Sequence, residues 1–148
     1  MREIKEKVKL WNFLDEQKVR IGEIIPKEYE AIIDTGALQI AIPEDIVAEL
    51  KLLKRLKKVP VEYADGRIAE REVAAGLSIE IMGRTTTTDA IIEPNGKEIL
   101  VGMIILEALD LWIDTKNGKI TPTPKSPDRP LYKQRVNIVI FRKLMYLT

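Results

Sequence analysis

A mostly β, single-domain fold with two short helices is what this sequence predicts, on three observations. Apolar residues fall in short runs that alternate with polar ones or are wholly apolar. Turn-forming pairs, Asp65-Gly66, Asn95-Gly96 and Asn117-Gly118, separate those runs. Helical spacing is confined to one stretch running from Glu44 towards Pro60 and another over Met103–Leu109.

Taken in order, Lys7-Val8-Lys9-Leu10 alternates as a half-buried strand should. Asp15-Glu16 supplies a turn, and Val19, Ile21, Ile24 and Ile25 predict a returning strand punctuated by Pro26. Tyr29 to Ile33 leads into a loop at Asp34, and Leu38 to Ile42 leaves it as another strand. Pro43-Glu44-Asp45 opens a helix, with proline in the first turn and acids at its positive end. Ile46, Leu50 and Leu53 continue that helix, and Lys51, Lys54, Arg55, Lys57 and Lys58 complement its negative end. The same basic cluster is less suited to nucleic acid, because no aromatic residues are interleaved with it.

Val61-Glu62-Tyr63 and Ile68 to Val73 form a β-hairpin with Ala64-Asp65-Gly66-Arg67 at its tip. Leu77 to Ile81, Thr85 to Thr88, and Ala90 to Ile92 read as strands, the threonines favouring strand by β-branching. Ile99-Leu100-Val101 runs up to Gly102, a short helix follows, and Leu111-Trp112-Ile113-Asp114 closes the pattern as a strand. Thr121 to Pro130 carries four prolines and reads as an extended linker. Val136 to Phe141 is an apolar strand that must pack on something. The expected organisation is a domain over 1–121, a proline-rich linker over 122–130 and a tail strand over 131–148.

Composition narrows the chemistry. With 24 basic and 23 acidic residues the net charge is +1, so no broad basic surface for nucleic acid is expected. No apolar run suffices to span a bilayer, and the charged start, Met1-Arg2-Glu3-Ile4-Lys5-Glu6, is unlike a signal peptide. A cytoplasmic protein without a membrane partner is therefore expected. Heavy use of Lys, Glu and Ile without Cys leans towards a thermophile's chain. The absence of Cys and His excludes disulfides, thiol nucleophiles and Ser-His or Cys-His catalysis. Carboxylates remain as the main acid–base groups, and only an oxygen-ligand metal site stays possible, though neither metal nor cofactor is expected.

Ile32-Ile33-Asp34-Thr35-Gly36-Ala37 then stands out: an apolar strand delivers a carboxylate to a sharp turn. Peptide hydrolysis by carboxylates needs two of them around one water, sharing one proton. The chain carries this loop once, so a working site of that kind would need a second copy from another subunit across a two-fold axis.

With this loop, the Pro43 turn into a helix, the Ala64–Arg67 hairpin, and Ile99-Leu100-Val101-Gly102 before a helix and Leu111–Asp114, the chain resembles the retroviral-type (retropepsin-like) aspartic proteases. Small cellular members of bacteria and archaea are the nearest in kind. The resemblance covers Val8 to Thr121 and implies an acid-protease half-barrel, one lobe per chain, with the active site on a homodimer axis. It implies Asp34 as the catalytic carboxylate, Thr35 bonding the opposite loop, and Gly36 letting backbone approach carboxylate and substrate. It makes Ala64, Asp65, Gly66 and Arg67 a flap over an extended peptide, and Gly102 the late glycine of the fold. Ala37 stands where a serine would donate to the carboxylate, so a less acidic optimum than that of Ser-type relatives is expected. Viral members follow the late glycine with Arg and then Asn or Asp; this chain has Met103-Ile104.

Two other readings stay open on the residues alone. A peptide-binding or assembly module on the same fold would keep the groove without a working pair of acids. A phosphoryl-transfer enzyme would use Asp34 as nucleophile, but Gly36 stands where its second acid belongs. Asp34 itself reads alternatively as a turn former. Asp114, followed by Thr115 and Lys116 in place of a glycine, reads as a hairpin residue.

Overall fold

The computed structural model describes residues 3–134. The expected tail strand over Val136–Phe141 lies outside them. Among the described residues there are eleven strands: β1 (Ile4–Asn12), β2 (Lys27–Ile33), β3 (Ala41–Pro43), β4 (Leu53–Lys54), β5 (Val59–Glu62), β6 (Ile68–Arg71), β7 (Val73–Ile81), β8 (Arg84–Glu93), β9 (Ile99–Val101), β10 (Leu111–Asp114) and β11 (Lys119–Pro122). Three short helices accompany them: α1 (Glu16–Arg20), α2 (Glu44–Leu50) and α3 (Met103–Ala108). The all-β expectation is borne out.

Six strands close into a barrel in the order β1-β2-β9-β3-β8-β7, sealed by pairing of β1 with β7, and β4 extends the sheet beyond β7. Closure removes the edges that an open sheet exposes. Pairing along β7 is divided: Leu77 to Glu80 pair with β1, whereas Ala74 and Ala75 pair with β4. The change occurs at a register shift between Ala74 and Leu77, where Gly76 takes φ 74°. That left-handed conformation suits glycine and lets the strand bend out of one partnership into the next.

The alternation along β1 sets its inner face. Ile4, Val8 and Leu10 are buried, while Lys5, Lys7 and Lys9 lie outside against Glu30, Glu28 and Glu80 at 3.6–3.7 Å. Each such exposed pair contributes little, about 0–1 kcal/mol. Each fully buried Leu or Ile contributes about 1.5–3 kcal/mol, so Leu10, Ile40, Ile42, Leu77, Ile79 and Ile92 dominate.

Two helical expectations are corrected. The predicted returning strand after Asp15 is instead a 3-10 turn (Phe13–Asp15) and α1. Asn12 Oδ1 accepts from the Leu14 amide at 2.9 Å, and the Trp11 indole donates to Glu16 at 2.6 Å, which starts the helix. Ile21 and Ile25 are exposed, so their apolar character serves no buried strand face. The helix from Glu44 stops at Leu50 rather than running towards Pro60, with Lys51 at φ 54°. Sheet pairing of Leu53 with Ala75 wins over the helical spacing. Apart from Lys51 at the C-cap, the basic cluster therefore lies beyond α2 and does not complement its end.

The proline-rich segment lies against the barrel. Buried Arg84 donates to the carbonyls of Leu109 at 3.0 Å, Asp110 at 3.1 Å, and Ser126. A cation at the end of α3 satisfies carbonyls that the helix leaves open. Asp110, also buried, accepts from the Leu131 amide at 3.1 Å. Hydrogen bonds from Ser126 and the Leu131 backbone hold its carboxyl below the ordinary 3.8. A depressed folded-state value adds stability above pH 3.8 that fades as pH falls through that lower value. Asp110→Asn should therefore melt below the natural chain at neutral pH, with the gap closing in acid below pH 3.8. Thermal unfolding across that range checks it.

Candidate active site

Ile32 and Ile33 are buried, and they carry β2 parallel to β9 with Ile33 opposite Val101. The ladder continues one step, the Asp34 amide donating to the Val101 carbonyl at 2.9 Å. Asp34 thus leaves the barrel from a fixed position. Its Oδ1 accepts from the Gly36 amide at 2.9 Å, and the Ala37 amide returns to the Asp34 carbonyl at 3.2 Å. A Cβ on Gly36 would lie 3.4 Å from Asp34 Oδ1, an ordinary contact. An added methyl at Gly36 would therefore meet no collision.

The first turn of α3 holds the other side of the loop. Met103 donates to the Ala37 carbonyl at 2.9 Å, and Ile104 donates to the Leu38 carbonyl at 3.0 Å. A helix has four unpaired amides at its start, and here two find partners on the Asp34 loop. Gly102 lies directly under that loop: a Cβ would sit 2.3 Å from the Gln39 carbonyl oxygen and 2.4 Å from the Leu38 carbonyl group. Its φ is −84°, so close approach, and not backbone conformation, demands glycine.

Across the opening stands the hairpin of β5 and β6. Its tip follows the expected turn: Gly66 donates to the Tyr63 carbonyl at 2.9 Å, Gly66 takes φ 86°, and Asp65 Oδ1 accepts from the Arg67 amide at 2.9 Å. Asp34, Gly36, Ala37 and Ala64 line one cleft of about 560 Å³. Leu38, Val61, Tyr63, Ile91 and Leu100 add apolar wall, with Glu93 and Glu98 also present. Thr35 is exposed and lines an adjoining hollow with Ile33, Asp34 and Glu98. Asp65, Gly66 and Arg67 shape the hairpin tip and do not line the cleft.

The sequence reading missed how the hairpin is held. Tyr63 donates to Glu93 on β8, and Arg71 Nε donates to the Tyr63 hydroxyl at 2.8 Å. The Arg67 and Arg71 guanidinium groups lie 4.6 and 5.5 Å from the Tyr63 ring centre. Burial and the Glu93 carboxylate push the Tyr63 hydroxyl above its usual value, so it stays a donor. Period-two alternation puts Tyr63, Arg67 and Arg71 on one face of the hairpin and is the only local signal for this cluster. Glu93 lies 30 positions from Tyr63 and gave no such signal.

Chemically, the cleft presents the Asp34 carboxylate beside an apolar wall and under a hairpin, with Glu93 and Glu98 in the same lining. Among the described residues no hydrogen bond joins Asp34 to a second carboxylate, and no helix is long and apolar enough to cross a membrane. Compared with known proteins, the chain matches the family model described as "gag-polyprotein putative aspartyl protease" over residues 20–108. That span includes the Asp34 loop, the hairpin, Gly102 and α3. No curated protein matches the chain.

Proposed function

The chain belongs to the retroviral-type (gag-type) aspartyl protease family, and on that premise we propose that it is an endopeptidase acting as a homodimer. The observation that carries this reading is the position of Asp34: a half-buried carboxylate at the end of a barrel strand, lining a cleft of about 560 Å³. Two protomers related by a two-fold axis bring both Asp34 carboxylates to one water. Like charges at that separation share a proton, so one is a base and the other an acid. The base takes a proton from water as its oxygen attacks the scissile carbonyl carbon. The acid gives its proton to the carbonyl oxygen. The tetrahedral adduct then collapses, a proton passes to the departing amine, and the C–N bond breaks. Neither metal nor cofactor takes part in these steps.

Residues around Asp34 have matching tasks. The Gly36 amide orients the carboxylate through its 2.9 Å bond. Exposed Thr35 reaches towards the partner loop. The hairpin covers the peptide and excludes water. A mixed peptide pool tests the reading: cleavage with a specific activity that falls on dilution, in step with loss of the dimer by solution mass, supports it. Absence of cleavage while the dimer persists, with the pool still bound, favours a peptide-binding module.

Two substitutions probe details. Ala37→Ser places a hydroxyl beside the carboxylate, where its bond favours the charged form. The pH–rate optimum should move to lower pH than that of the natural protein. Tyr63→Phe keeps the ring under Arg67 but removes the hydroxyl that ties the hairpin to Glu93. Loss of one such bond costs about 1 kcal/mol, so KM should rise roughly fivefold with kcat less affected. Steady-state kinetics on one peptide separates the two constants.

A further inference from the structure

A second concavity lies away from the cleft and shares no lining residue with it. This groove, about 640 Å³, is walled by Leu53, Leu56, Val59, Val73 and Ala75, with Lys57 at its border. Leu56 is fully exposed and Leu53 is 64% exposed, unusual for two leucines so close together. β4, which carries Leu53, is the last strand in the sheet order, and its outer side has no strand neighbour among the described residues.

Two of the three cations lining the groove are paired with acids. Lys54 pairs with Glu44 at 2.9 Å and Glu72 at 3.2 Å, and Arg55 pairs with Asp89 at 2.9 Å. Lys51, Lys57 and Lys58 have no acid within ion-pair distance among the described residues. Of these, Lys57 lines the recess itself, while Lys58 borders a separate hollow with Glu44, Glu70 and Glu72.

We propose that this groove docks an extended, acidic and apolar segment of a partner polypeptide, laid along the open side of β4. The partner's apolar side chains fill the recess over Leu53 and Leu56, and a carboxylate meets Lys57, the lining cation with no ion-pair partner among the described residues. An open strand edge recognises extended backbone, and alternate side chains then fall into the groove. A concave site favours an inserted chain over a flat lipid surface. No aromatic residue lines the groove, which removes the stacking that single-stranded nucleic acid uses. Val59, at the root of the hairpin, lines the groove, so the docked segment touches the strand whose far end borders the cleft. The inference does not depend on peptide hydrolysis.

A fluorescein-labelled peptide alternating Glu with Leu and Val, titrated with the full chain, tests it. Expected are saturable binding that weakens from about 0.1 M to about 1 M salt and roughly tenfold weaker binding to Lys57→Glu and, separately, Leu56→Asp. Both side chains are exposed, so melting temperature should hold; should either variant unfold, the other still decides. The proposal is overturned if a Lys-for-Glu version of the peptide binds equally, or if neither variant weakens binding. It is also overturned if anionic phospholipid vesicles or duplex DNA bind while the acidic peptide does not. A Leu56→Asp chain of smaller solution mass than the natural protein would overturn it too, by assigning the face to a second copy.

Discussion

Gly102→Ala should cost the protein about 3 kcal/mol or more, the upper end for forcing extra volume into packed structure. The added methyl meets the Leu38 carbonyl group and the Gln39 oxygen at 2.3–2.4 Å. Those obstacles are backbone, which cannot rotate away as a side chain would. The loop is also tied down: Met103 and Ile104 donate to Ala37 and Leu38, so relief of the clash breaks bonds that position the Asp34 turn. At roughly 2–4 °C per kcal/mol for a chain of this size, the melting temperature should fall by about 10 °C. Gly22→Ala is the control. Gly22 has φ 81° but nothing within 4 Å of an added methyl, so it tests conformation without collision and should cost only about 1 kcal/mol. A Gly102→Ala chain melting with the natural protein would remove the loop-under-glycine account.

Asp34→Asn should abolish peptide hydrolysis, by at least about 10³-fold, because the amide can neither accept water's proton nor donate as an acid. Stability should be nearly unchanged. The amide oxygen still accepts from Gly36, and the side chain is only half-buried. The pairing of lost activity with a retained melting temperature separates this prediction from Gly102→Ala, where both fall. Cleavage that survives Asp34→Asn would assign the chemistry elsewhere.

Much of the fold was legible because its signals are local. The alternation at Lys7–Leu10, the Asp65-Gly66 turn and the apolar run ending at Gly102 each fix a conformation within a few residues. The family resemblance stood on the Asp34 loop, the Pro43 turn, the Asp65-Gly66 hairpin and the run ending at Gly102 with the helix and strand after it, and the match over residues 20–108 bears it out. Where apolar residues are not buried, periodicity misled. Ile21 and Ile25 suggested a strand although solvent surrounds them. Leu53 extended an apparent helix although it belongs to a sheet edge. The Tyr63 bond to Glu93 and the Arg84 bonds to Leu109 and Ser126 depend on contacts between distant positions, and no local pattern announces them. For Gly102 the sequence marked the residue, but only the packing against Leu38 and Gln39 explains it.

The most direct test of paired Asp34 carboxylates mixes protomers. Natural protein is exchanged with an equal amount of Asp34→Asn until subunits have redistributed at random, and peptide cleavage is then measured. If each site needs both carboxylates, half of the natural chains sit in mixed dimers and activity falls to about one half. Undiminished activity, with exchange verified by mass, would mean that one chain's carboxylate is enough and would contradict the shared-water mechanism.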